Sequence, residues 1–410
     1  MKSVVKQEVL ALNGDETVAY AVKQSDVDVV AAYPITPQTI IVERFSEYVA
    51  NGEVETKFIC TESEHSALTA CLAASVTGAR AFTASASAGL ALMHEMLFVT
   101  SGCRAPVVMA IANRALSAPL NIHGDHSDAT AQRDSGWIQI YVENAQEAYD
   151  SVIQAFRIAE NTDVLLPVIV GLDGFTLSHT LENVKVLPDD AVKKFVGTRQ
   201  FPTVINHEGK AVPFKLDPEN PMTMGPAALP NYYFEFKRQQ EEAMRNALRV
   251  ISEVNNEYAE ISGRSYGDGL LDQYCMDNAE IGIVCLGSTA GTVKSVIDGL
   301  RAEGTRAGLL RIRTFRPFPV KGIAKALENL KAVAVMDRSM SFGCYGGPVF
   351  NEVRNALYDS KSHPQIVNYI YGLGGRDTNQ TQIRAIYMDL KRILEKGRVE
   401  SLVNYVGLRE

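Results

Sequence analysis

From the N-terminus to about Leu187, short apolar runs alternate with longer stretches that are amphipathic or rich in small residues. The runs VDVVAAYPI (Val27 to Ile35), KFICT, RAFTASA, PVVMAIAN, WIQIYVE and PVIVGLDG are apolar or β-branched on both faces, which predicts buried strands. Between them, QTIIVERFSEYVA, SALTACLAASVTGA, GLALMHEMLFVTS and AQEAYDSVIQAFRIAENT have the length and periodicity of helices. Strand and helix in alternation predict an α/β fold, a mainly parallel sheet with helices on both faces.

From Pro188 to Gly263 the chain becomes rich in Pro and Gly and loses its periodicity, as a connector does. A long helix is predicted from Tyr232 to about Ile261, with Met244, Leu248, Ile251, Tyr258 and Ile261 on one stripe that braces the two flanking units. From about Ala279 the alternation resumes. IGIVCLGS, RAGLLRIRTF, AVAVMDRS and QIVNYIYGL read as strands, and AGTVKSVIDGLRAEG, VKGIAKALENL, PVFNEVRNALYDS and TQIRAIYMDLKRILEKG as helices. A chain of 410 residues exceeds one ordinary core, and the expected division is 1–190, 191–265 and 266–410.

With 46% hydrophobic and 21% charged residues the chain has the composition of a soluble globular enzyme. A formal charge of -8 leaves no basic face for nucleic acid. No apolar run is long enough to cross a bilayer, and MKSVVKQEVLALNGDE lacks the apolar centre of a secretory leader, so a cytoplasmic protein is expected. The six cysteines form no C-x-x-C pair, which predicts buried, reduced thiols and no metal or iron-sulfur site held by this chain.

Ligands of open parallel sheets gather beyond the carboxyl ends of the strands. YPITPQT, TESEHSA and NRALSAPLNIHGDHSD all fall there, so they are expected to line one crevice. In the first, Pro34 and Pro37 stiffen the backbone around Thr36; the plainer reading makes Thr36 a helix N-cap and Pro37 the first helical residue. In the second, Glu64 falls at a helix start with apolar Ile59 behind it and Ala67, Ala70 and Ala73 beyond. The helix dipole favours an acid there in any case. Burial of a carboxyl favours its protonated form, which suits it to share a proton with a ring nitrogen, and small neighbours admit a flat group.

Arg114 leaves a buried strand and needs an anion: either Asp125 or Asp128, or the carboxylate of a substrate. His123, Asp125, His126 and Asp128 mix soft and hard donors on one irregular loop, a poor metal site. YGDGLLDQ imitates the Gly-Asp-Gly start of a magnesium-pyrophosphate loop. It follows a helix instead of a strand, and no closing Asn falls between Thr292 and Ile297, so it reads as a decoy. SFGCYGGP and GLGGRD read as turns.

AAYPITPQT, TESEHSALTAC, FTASASAGLALMHEML, NRALSAPLNI with DHSD, GWIQIYVEN, LLDQY and LRIRTFRPFP occur in the order of one family. Together they resemble the alpha subunit of the multi-subunit 2-oxoacid:ferredoxin oxidoreductases, specifically the pyruvate-converting branch. The resemblance implies a pyrimidine-binding thiamine diphosphate module followed by a transketolase C-terminal-like domain. It implies an active site between two chains. A beta subunit would carry magnesium, the pyrophosphate site and a four-iron cluster, with gamma and delta subunits, ferredoxin and coenzyme A completing the system. By the same resemblance Glu64 hydrogen-bonds the aminopyrimidine ring and activates the cofactor, Thr36 and Arg114 bind the 2-oxoacid, and Pro34 and Thr36 contribute to the cofactor site. Glu62 matches no catalytic position, and His123 stands where many relatives carry a Trp-like aromatic. An intact Y-P-I-T-P favours pyruvate over oxalate. A subunit for another 2-oxoacid, a non-catalytic scaffold, a flavodoxin-like carrier lacking any aromatic flavin loop, and a free-standing transketolase-type enzyme are the competing readings.

Overall fold

A computed structural model describes residues 5–361 and 363–409. The residues 1–4, at the head of the stretch scanned for a leader, lie outside them. Two sheets carry the chain. The first orders its seven strands Thr314–Arg316, Ile138–Tyr141, Val168–Asp173, Val107–Asn113, Ala81–Ser85, Val29–Ala32, Lys57–Cys60. All pair in parallel except the edge strand Thr314–Arg316. The second sheet orders Leu271–Tyr274, Ala307–Ile312, Ile281–Cys285, Ala332–Asp337, Gln365–Ile370, Val403–Tyr405, parallel but for the first.

The expected α/β class is therefore present. The central strands are buried along their whole length, as their unbroken apolar runs require. The strand Lys57–Cys60 departs from expectation: it is an edge strand, largely exposed, with Ile59 40% accessible. GLALMHEMLFVTS, read as one helix, is divided into Ser87–Leu92 and His94–Gly102. RAGLLRIRTF is also split, its second half leaving the second sheet to join the first.

One core lies between the first sheet and the helices Gly14–Gln24, Ala145–Ala159 and Tyr233–Ser262. A second runs without a break from Leu68 and Leu97, across Met109 and Ile169, to Leu310 and Val335 of the second sheet and Phe350 of the helix Pro348–Tyr358 that covers it. The long helix buries Ala243, Ala247, Val250, Ile251, Val254 and Tyr258, a face shifted from the expected stripe because small Ala residues make the close contacts. Its Tyr258 hydroxyl donates to Asp150 (2.6 Å), which also receives Arg264.

Arg311 and Arg313, fully buried, both reach across to Glu147 on the helix Ala145–Ala159, itself inaccessible. Arg311 Nη1 donates to Oε2 (2.7 Å) and Arg313 Nε to Oε1 (2.8 Å). Arg313 spends its other nitrogens on Gly269 O and Ser151 Oγ, both at 2.8 Å. One carboxylate thus serves two guanidinium groups at the junction of the sheets.

Candidate active site

The strands Lys57–Cys60, Val29–Ala32, Ala81–Ser85 and Val107–Asn113 are neighbours, and the loops leaving their carboxyl ends meet along one rim. Asp128 ties two of these loops together. Its Oδ2 accepts from Ser87 N and Arg114 N, each at 2.9 Å, and its Oδ1 from Asn113 Nδ2 at 2.8 Å. Burial pushes its carboxyl up to about 6 against these bonds. Ser87 takes a left-handed φ of 47° and donates its hydroxyl to Ala115 O. Strain of this kind collects where surrounding structure fixes a functional turn.

Glu64 is the first residue of the helix Glu64–Thr77, capped by Ser63, whose hydroxyl accepts from Ser66 N. It is only 6% accessible, and its carboxylate accepts no hydrogen bond from another described residue. The small residue beside it is Gly89, which the sequence reading passed over. A methyl group on Gly89 would lie 2.5 Å from Glu64 Oε1 and 2.6 Å from Ser85 Oγ. The expected apolar wall is only partly there: Ala67 is buried, Ala73 and Ile59 are exposed. Glu62 is exposed and receives the Ser66 hydroxyl, which lowers its pKa.

Thr36 is not an N-cap. The helix begins at Thr39, because the buried Gln38 side chain accepts from Ile35 N and donates to Ala84 O, holding residues 35–38 as a turn. Thr36 and Pro34 are exposed at the rim. Arg114, 7% accessible, donates from Nε to Asn121 O (3.0 Å) and from Nη1 to Thr36 O (2.9 Å). It has no carboxylate partner among the described residues. Asp128 holds its backbone, and Asp125 is engaged by Ser127 and by Gly374 N. Thr36 and Arg114 are thus brought together, and Arg114 N shares Asp128 Oδ2 with Ser87 N, the start of the helix whose Gly89 faces Glu64.

Among the described residues no group of three His, Cys, Asp or Glu is arranged to hold a metal ion, the loop NIHGDHSD included. The loop docks on the second sheet instead. Asn121 Nδ2 donates to Gly374 O (3.0 Å), Asp125 Oδ2 accepts from Gly374 N (3.0 Å) and His126 N donates to Arg338 O (2.8 Å). His123 is exposed, its ring 5.1 Å from that of Phe175. The GLGGRD turn is the receiving surface.

Beneath this contact His126 Nε2 lies 2.6 Å from Asp173 Oδ1, while Asp173 Oδ2 accepts from Ser288 N and from Arg338 Nη1 (2.9 Å). Burial alone would raise the Asp173 pKa, but Arg338 and His126 hold it well below the usual carboxylate range. A depressed folded pKa contributes stability above the unfolded value, about 3.9, and that contribution is lost as pH falls. Asp173→Asn should therefore cost about 1.5–3 kcal/mol in denaturant unfolding at pH 7, with the gap to the parent narrowing below about pH 4. A gap that widens in acid would contradict this.

The remaining motifs are structural. Asp268 of YGDGLLDQ accepts from Leu270 N and Leu271 N, closing a turn into a strand. Cys71 and Cys285 are buried, but Cys60 and Cys344 are exposed, which corrects the expected burial; none forms a disulfide. No helix among the described residues is long and apolar enough to cross a membrane.

Comparison with known proteins supplies the context. Residues 20–256 match the family model described as pyruvate flavodoxin/ferredoxin oxidoreductase, thiamine diphosphate-binding, and residues 279–383 match pyruvate:ferredoxin oxidoreductase core domain II. Pyruvate synthase subunit PorA of Methanocaldococcus jannaschii is 50% identical over 98% of this chain and 99% of its own. PorA of Thermotoga maritima is 48% identical over the full length of both, and ketoisovalerate oxidoreductase subunit VorA of Pyrococcus abyssi 42% over 97% of each. A 2-oxoglutarate:ferredoxin oxidoreductase of Magnetococcus marinus, solved with 2-oxoglutarate, coenzyme A and succinyl-CoA, shares the fold at a TM-score of 0.74 and 18% identity. It covers 95% of this chain, which spans 65% of that longer one. A split-gene transketolase follows at a TM-score of 0.52. Matched in order along nearly its whole length, this chain belongs to the pyruvate flavodoxin/ferredoxin oxidoreductase family.

Proposed function

We propose that the chain is the alpha subunit of a thiamine diphosphate-dependent pyruvate:ferredoxin oxidoreductase, interconverting pyruvate and coenzyme A with acetyl-CoA and CO2. The observation that carries this reading is Arg114: a buried guanidinium bonded only to neutral carbonyls, next to Thr36, at the rim where Glu64 is shielded. Such a cation favours an anion, and a planar fork matches a carboxylate.

The residues present fit the cofactor's aminopyrimidine end. Glu64 offers a sheltered carboxylate with no hydrogen-bond partner among the described residues, and Gly89 leaves space beside it. When bound, thiamine diphosphate supplies a nucleophilic carbon and an electron sink for decarboxylation. Glu64 would hold a proton at the ring nitrogen, Thr36 and Pro34 would border the ring, and Arg114 would orient the 2-oxoacid carboxylate. Most of the gain at Arg114 is orientation.

Apolar side chains stand exposed around the rim, among them Tyr33 (38%), Ile122 (40%) and Leu120 (75%), which fits a site covered by another chain. That partner, a beta subunit, would bring pyrophosphate binding, magnesium and a four-iron cluster, since this chain's Gly-Asp-Gly closes on its own backbone. Gamma and delta subunits and ferredoxin would take the electrons singly. Cytoplasmic location accords with the lack of a membrane helix among the described residues.

The test is co-purification of the native complex, with viologen reduction assayed on pyruvate, 3-methyl-2-oxobutanoate, 2-oxoglutarate and oxalate. Preference for pyruvate supports the reading; no 2-oxoacid activity ends it. Arg114→Lys keeps the charge but not the fork, so kcat/KM for pyruvate should fall about tenfold to hundredfold, mainly through KM. An unchanged KM would remove Arg114 from substrate binding.

A further inference from the structure

Ser85 ends the strand Ala81–Ser85, fully buried, and its hydroxyl has no hydrogen-bond partner among the described residues. A buried hydroxyl without a partner is costly, so one is expected in the working state. The nearby acceptor that also lacks a partner is Glu64. Both oxygens crowd the same point above Gly89, within 2.6 Å of where a Cβ would be. The backbone under them is fixed: Asp128 holds Ser87 N, and Ser87 Oγ holds Ala115 O. Ser85 therefore presents its hydroxyl from a rigid strand end, whereas Glu64 sits on a flexible side chain.

We propose that Ser85 is a positioning residue for Glu64, its hydroxyl donating to Glu64 Oε1 across the bare Cα of Gly89 so that Oε2 is left for the cofactor ring. The assignment rests on the reading of Glu64 as the carboxylate that works on thiamine diphosphate. The bond selects the rotamer that aims Oε2 outward.

The test uses the assembled complex carrying Ser85→Ala, Gly89→Ala or Glu64→Gln. Ser85→Ala should lower turnover with pyruvate about tenfold to hundredfold, the worth of one bond to a charged group. Without cofactor its melting midpoint should hold or rise, since the hydroxyl has no partner there, while the rise on adding thiamine diphosphate and magnesium should shrink. Gly89→Ala, with a methyl group between the two oxygens, should lose at least as much turnover with Ser85 intact. Ser85→Ala that keeps turnover and cofactor-induced stabilisation overturns the assignment. So does a loss of melting midpoint in the cofactor-free complex, which would make the hydroxyl a part of the fold. If Glu64→Gln itself retains turnover, the reading of the site falls; if Glu64→Gln is inactive and Ser85→Ala normal, only Ser85 is misassigned.

Discussion

Glu64→Gln is expected to lower pyruvate-dependent viologen reduction by the assembled complex about hundredfold to ten-thousandfold, the usual worth of a positioned proton-transfer group. The chain should be no less stable for it. Glu64 is 6% accessible and receives no hydrogen bond from another described residue, so the amide forfeits nothing in the fold. A sheltered charge without a partner is a standing cost that removal relieves. Gain or retention of stability with loss of turnover is the pattern of a group kept for chemistry. Gln retains the shape and one acceptor, so cofactor binding should weaken less than turnover. The two measurements are the steady-state rate and the denaturant midpoint of the same preparation. Activity within a few fold of the parent would dismiss Glu64.

Glu147→Gln should act in the opposite sense, costing about 3–5 kcal/mol of stability, because it strands the buried Arg313 and takes from Arg311 its shortest ion pair. Arg311 and Arg313 are 1% and 0% accessible, and Glu147 is inaccessible. Arg311 retains Glu143 and Asp272 at 3.3 Å, but Arg313 has no other carboxylate partner among the described residues and falls back on Gly269 O and Ser151 Oγ. The double change Arg313→Met with Glu147→Gln should recover part of the loss, since the cost lies in the unpaired charge. Chemical unfolding of the three chains measures this. A single variant within about 1 kcal/mol of the parent would show that water or movement already relieves the cluster.

Much of the fold is legible because strands buried on both faces, such as Val107–Asn113, leave an unbroken apolar run. The helix Gly14–Gln24 and its partner strand Glu8–Asn13 escape that reading, though NGDE carries a signal. Asn13 accepts from Glu16 N while Glu16 accepts from Asn13 N, a capping box that announces a helix start. The exposure of Lys57–Cys60 is not legible at all. Its composition is that of an inner strand, and only strand order, a long-range property, makes it an edge. Likewise nothing local in RIRTF says that Thr314 pairs with Ile140.

In the site, Glu64, Thr36 and Arg114 are visible as charged or hydroxyl residues where strands end. The contact of Arg114 with carbonyls in place of Asp125 or Asp128 is decided by loop geometry that spacing does not encode. Ser85 and Gly89 hide inside FTASASAGLAL, where small residues read as packing. A Ser at the end of a buried strand, two residues before the start of a Gly-containing helix, is the available signal.

The strand Thr314–Arg316 bears on how the polypeptide can be divided. It lines the open side of Ile138–Tyr141, so truncating the gene after the long helix would leave that strand with unpaired backbone amides and carbonyls on a bare rim. The upstream piece would then be prone to self-association, and the downstream piece would carry Arg313 without its acid and Arg311 with Asp272 alone. Either half expressed separately should precipitate, and mixing the halves should restore solubility only if both are present while they fold.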